Sequence, residues 1–159
     1  MDAENITIWG VDPGIKGALS VINFPEKKIL RIERFESIPV PGNKIEKNRI
    51  DALALKKLLN ELPKPDKIIL EYPNIIAGNM KIAQVLFFKT LGNIEACLAG
   101  YGEIVRVNPT EWKKSFNLIK KGKGESTKTA KQLFNDKRIT NADIAESALL
   151  AYWGYYYLT

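Results

Sequence analysis

Histidine is absent from the 159 residues and cysteine occurs once. The first absence excludes Ser–His and Cys–His catalysis and every zinc site built on imidazole. The second leaves Cys97 without an intrachain disulfide partner, which fits a reducing compartment, and its apolar neighbours make it a small core residue. Long hydrophobic runs are also missing. Nothing approaches the roughly 18 apolar residues of a membrane span, and the initial MDAENITIWG lacks the basic and apolar regions of a secretion signal. A soluble protein without a membrane partner is expected, in the cytoplasm, or in the host's cytoplasm if its source is viral. Any hydrolytic chemistry must rest on carboxylates, lysines, hydroxyls or bound metal.

What is present is basic. The 24 Lys and Arg exceed the 18 Asp and Glu, for a net charge of +6, and favour a polyanionic partner such as nucleic acid. At 45% hydrophobic residues the chain can build one ordinary core, so residues 1–159 are read as a single domain.

Ile6 to Val11 is a β-rich apolar run that stops at Asp12-Pro13-Gly14, a turn sequence. Gly17 to Asn23 and Ile29 to Ile38 follow as strands around a polar Pro25–Lys28 turn, giving three antiparallel strands in succession. Pro39 to Asn48 has loop composition, and Asp51 to Leu62 carries leucines at helical spacing. Lys67 to Glu71 is a compact strand ending in an acid, and about Asn79 to Ala99 is a long helix with much apolar surface. A strand at Glu103 to Val107 precedes a short helix from Pro109 through Trp112. A basic loop spans Lys120 to Glu125, and helices follow at Ser126 to Asp136, with Ser126 as its cap, and at Asn141 to Tyr157. Three early strands followed by alternating strands and helices predict an α/β fold with a mixed sheet of about five strands flanked by helices.

Four acids stand out in this frame. Asp12 and Glu71 each end an apolar strand, and neighbouring strands would bring them to one sheet edge, where α/β sheets place ligands. Asp143 and Glu146 are three apart and share a helix face. So much converging negative charge raises pKa values unless hard divalent cations neutralise it. Two Mg²⁺ ions about 4 Å apart would clamp a phosphodiester, activating water and stabilising the departing oxygen. Each acid also has a plainer reading: Asp12 as turn residue, Glu71 as strand terminus, Glu146 as solvated, and Asp143 as partner of Thr140 in a capping box. The ordered set is harder to dismiss than its members.

That ordered set, Val11-Asp12-Pro13-Gly14, then Ile69-Leu70-Glu71, then Ala142-Asp143-Ile144-Ala145-Glu146-Ser147-Ala148-Leu149, resembles the RuvC family of Holliday junction resolvases, and the likeness spans nearly the whole chain. It implies a ribonuclease H-like fold and a metal-dependent endonuclease that nicks four-way junctions or related branched DNA. Asp12, Glu71, Asp143 and Glu146 would be metal ligands for two Mg²⁺ ions per site, with Mn²⁺ as a substitute, in a homodimer. The helix around Leu86 to Leu98 would serve as the interface. Lys128 aligns with a lysine near the family's active site and is expected to assist catalysis, with Lys113 as a second candidate. Two positions depart from the cellular bacterial pattern, Glu146 in place of Asp and Asn74 in place of an aromatic; both are closer to phage-type relatives.

Lys113, Lys120, Lys121, Lys123, Lys128 and Lys131 are the expected DNA contacts, and the C-terminal Trp153, Tyr155, Tyr156 and Tyr157 are expected to pack rather than stack on bases. Three other readings compete: a nuclease of the same fold acting on RNA–DNA hybrids or flaps, a non-catalytic module binding branched DNA, and an actin-like nucleotide-binding domain. The short chain disfavours the last.

Overall fold

A computed structural model describes residues 4–75, 78 and 80–158. Strands β1 (Ile6–Asp12), β2 (Ala18–Phe24) and β3 (Lys28–Arg34) form the expected antiparallel meander, and β4 (Ser37–Pro39) pairs with β5 (Asn48–Ile50) as a separate small hairpin. Helix α1 (Ala52–Glu61) leads to β6 (Lys67–Glu71), α2 (Ile82–Leu98) to β7 (Glu103–Val107), and α3 (Pro109–Ser115), α4 (Lys123–Phe134) and α5 (Ala142–Tyr156) complete the chain. The main sheet has five strands in the order β3-β2-β1-β6-β7, with β1, β6 and β7 parallel. This is the mixed five-stranded α/β architecture that the sequence predicts.

Alternation along the central strands divides the core into two layers. Ile8, Ile22 and Ile69 face α3, α4 and α5, whereas Trp9, Val11, Val21, Ile68 and Leu70 face α1 and α2. The aromatic C-terminus belongs to the first layer: Trp153 is buried and Tyr155 stacks on Phe24, with ring centroids 4.6 Å apart, while Tyr156 and Tyr157 keep exposed edges.

Several boundaries differ from the sequence reading. The third strand breaks after Arg34, where Phe35 N–H donates to the Gly17 carbonyl, so Ile38 belongs to the hairpin rather than to the sheet. The expected start of the long helix at Asn79 lies outside the described residues. Helix α4 opens three residues early, with Gly122 as its N-cap, so Ser126 is an interior helical residue and not a cap. Asn141, not Thr140, caps α5, its side chain accepting from Ile144 N–H.

Helix α5 crosses the sheet on β1 at very close range. A Cβ on Gly10 would stand 1.9 Å from the Ser147 carbonyl oxygen and 2.6 Å from Ala151 N. Deeper along the helix, a Cβ on Gly154 would meet Ile69 Cγ1 at 2.4 Å. The buried Ser20 and Ser147 hydroxyls, 2.6 Å apart, fasten β2 to the same helix. Gly10→Ala would therefore drive a methyl group into helix backbone, which cannot yield as a side chain can. The expected cost is about 3 kcal/mol or more, read as a fall in the urea midpoint at unchanged slope.

Candidate active site

Parallel pairing sets Val11 beside Leu70, and the next residue on each strand is an acid. Asp12 and Glu71 thus emerge together at the carboxyl edge of the sheet. Asp143 and Glu146 come from the first turns of α5, which the contact at Gly10 holds against β1. Because Asn141 does the capping, the Asp143 side chain is free to project. All four carboxylates line one cavity of about 290 Å³, with Pro13, Gly14 and Gly17 of the turn after β1 at its wall. In that turn a Cβ on Gly17 would lie 2.1 Å from the Asp12 carbonyl oxygen, so only glycine lets the chain fold back there.

The electrostatics are unfavourable as they stand. Asp12 is only 9% exposed and its carboxyl is held well above the ordinary range, first by burial and then by repulsion from Glu71, Glu146 and Asp143. Burial also raises Glu71, while the Trp112 hydrogen bond and the Lys113 charge pull it back. Each of the other three acids has its own donor. The Trp112 indole Nε1 donates to Glu71 Oε2 at 2.7 Å, and Lys113 Nζ stands 3.2 Å from Glu146 Oε2. Ser126 Oγ donates to Glu146 Oε1 at 3.0 Å, and Arg34 Nη2 lies 3.4 Å from Asp143 Oδ2. Consecutive residues of α3 therefore engage two carboxylates, one through a neutral indole and one through an ammonium group.

An all-oxygen donor set suits hard divalent cations, and the strain on Asp12 is the charge imbalance that such an ion relieves. Among the described residues, however, no group of three or more Asp, Glu or Cys side chains is already gathered for one ion. Lys113 stands at Glu146 instead. A cation held by Glu146 would compete with that ammonium group for the carboxylate.

The lysine expectations divide. Lys113, Lys121 and Lys123 line the cavity, joined by Lys16. Lys120 is exposed outside it. Lys128 is not in the site: with Ser126 and Ala130 facing inward on α4, Lys128 points to solvent and, with Lys131, borders a shallow groove on the outer face. The lysine that reaches the carboxylates is Lys113. Sequence reasoning missed Lys16, Arg34, Trp112 and the true role of Ser126. Adjacency to Lys113 was the available signal for Trp112, and the turn after Asp12 was the signal for Lys16.

No family model and no curated protein matches the chain. Among solved structures it is similar to RuvC of Thermus thermophilus, at 15% identity and a TM-score of 0.62, over 94% of this chain and 95% of that one. It is likewise similar to Thermus thermophilus RuvC in complex with a Holliday junction substrate, at 15% identity and a TM-score of 0.63, over 94% of both chains. The chain has a RuvC-like fold.

A carboxyl whose folded pKa is raised binds its proton more tightly folded than unfolded. Its stabilisation is complete below the ordinary carboxylate range and is lost as pH rises through the raised value. Asp12→Asn removes that loss. In EDTA at pH 7 the variant is expected to melt higher than the parent by about 3 °C or more, and the gap should close as pH falls toward about 4. Thermal unfolding followed by circular dichroism across that range reads both.

Proposed function

We propose that the protein is a divalent-metal-dependent endonuclease acting on branched DNA, four-way junctions included. The observation that carries this reading is the convergence of Asp12, Glu71, Asp143 and Glu146, from two strand ends and one helix, on a single cavity in a RuvC-like fold. Neighbours of that fold include a RuvC bound to a Holliday junction substrate, which favours branched DNA over an RNA–DNA hybrid.

The four carboxylates would hold the cations, Mg²⁺ or Mn²⁺ and two per site. When bound, such ions supply an activated water and neutralise charge on the phosphodiester. The chain's own residues do the remainder. Lys113, once released from Glu146, can place its ammonium against a non-bridging phosphate oxygen, where charge develops during cleavage. Trp112 holds Glu71 in one orientation from a fully buried ring, and Ser126 does the same for Glu146. Lys16, Lys121 and Lys123 at the rim attract the phosphate backbone without reading sequence.

Paired nicks require two sites, so the reading includes a homodimer. The open apolar surface of α2 is not centred where the sequence suggested an interface. Leu91, Ile94, Cys97 and Leu98 of α2 are buried within the chain itself, and the apolar surface left open is at the start of that helix, at Ile82 and Val85.

Two experiments test these statements. On a synthetic junction with Mg²⁺, Asp12→Asn should lose more than the roughly 10–100-fold that outer-shell changes cost, and EDTA should abolish cutting. Lys113→Ala should lower kcat about a hundredfold while Lys128→Ala stays near the parent. Equal losses at both lysines would return the catalytic role to Lys128. RNA–DNA hybrid cutting in preference to the junction would move the substrate assignment. For the assembly, Ile82→Glu with Val85→Glu should convert a dimer to a monomer in sedimentation; an unchanged mass would remove α2 from the interface.

A further inference from the structure

The carboxylate cavity has a second space beside it. Gly14 and Phe87 line it and also line an adjoining cleft of about 290 Å³. One wall of that cleft is the first half of α2, with Ala83, Leu86 and Thr90; the other is the β4–β5 hairpin, with Lys47 of its loop and Asn48 at the start of β5. The loop is fastened in place. Lys89 Nζ donates to both Glu46 carboxylate oxygens, at 2.9 and 2.7 Å, and the Asn43 side chain accepts from the Ile45 and Glu46 amides, each at 2.9 Å. Once Glu46 is matched by Lys89, the hairpin carries Lys44, Lys47 and Arg49 as exposed positive charges.

We propose that this cleft receives the base of a nucleotide next to the phosphate held at the carboxylates, with its face against the Phe87 ring. The proposal rests on the reading of the site as a DNA-cleaving one. An aromatic ring shared by a phosphate-sized polar cavity and an apolar cleft matches the two halves of a nucleotide. A base has apolar faces for Phe87 and Leu86 and polar edges for Asn48 and Lys47 at the rim. The volume lies at the small end of ligand pockets, suited to one ring system rather than to a helix or peptide. The positive hairpin would track the backbone on the far side.

The test is a double-substitution cycle read by fluorescence anisotropy in EDTA, on a branched DNA whose strands carry single abasic positions one at a time. For the parent protein, one abasic position is expected to weaken binding about tenfold, the usual scale of lost base–aromatic stacking. Phe87→Leu keeps apolar volume and should weaken binding to intact DNA by a similar factor. On the sensitive abasic DNA it should add no further loss, since both changes remove the same contact. Asn48→Ala, on the exposed hairpin, gives the same comparison without disturbing the core. Factors that multiply for both variants, or the absence of any sensitive position, would overturn the proposal. So would a change in oligomeric mass on Phe87→Leu with DNA binding intact, which would give the cleft to a second copy of the chain. Because binding is read without metal, failure of the DNA to be cut would count against the nuclease reading alone.

Discussion

With no side chain at Gly10, the backbone of α5 rests directly on β1, and the placement of the site follows from that contact. The helix carries Asp143 and Glu146 in its first turns, the strand carries Asp12 at its end, and the distance between backbones decides whether those acids share a cavity. Gly154 extends the same seat over Ile69, and the Ser20–Ser147 hydroxyl pair stops the helix from sliding along the sheet. A larger residue at Gly10 would lift the helix, and the acids on it would move away from Asp12 and Glu71, whereas one at Gly154 would first displace the Ile69 side chain. Packing and the gathering of the acids are in this sense one constraint, set first by Gly10, where only hydrogen fits.

Bringing four carboxylates together has an electrostatic cost that the fold spreads unevenly. Glu71, Asp143 and Glu146 each have a donor of a different kind, an indole, a guanidinium and an ammonium with a hydroxyl, whereas Asp12 lies deepest and feels all the others. The most buried acid is therefore the one most in need of a cation. Lys113 offsets part of the repulsion, lowering both Asp12 and Glu71 from where burial alone would put them. Its side chain is 28% exposed and so has freedom to move that the buried Trp112 lacks.

The parts of the site that were legible in the sequence are those whose geometry is local. Asp12 and Glu71 follow apolar runs of β-branched residues, so their position at a strand end can be read directly, and parallel neighbouring strands do the rest. Asp143 and Glu146 are visible because a spacing of three keeps a helix face whatever the exact start. Lys128, which lies outside the cavity, shows the opposite case. Its orientation depends on which face of α4 packs inward, and Ser126 and Ala130 take that face. Two residues beyond Ser126 lies roughly 200° around the helix, on the far face. Trp112 and Arg34 could not be placed from sequence, because their contacts span 41 and 109 residues.

The apolar surface of α2 shows how a sequence signal can be right in kind and displaced in position. A helix apolar on most of its circumference must be buried on more than one side. The C-terminal half meets that requirement inside the chain, against Leu55, Leu59 and Trp9 in the same core layer. The N-terminal half lies beside the hairpin, where Ala83, Leu86 and Phe87 line the cleft next to the carboxylate cavity. Phe87 stands at the boundary, packed on the core at one side and facing both cavities at the other. An aromatic residue confined to the core would line neither space, and one confined to a subunit contact would have no reason to border the carboxylates. Its position links the long helix to the cavity that the four acids line.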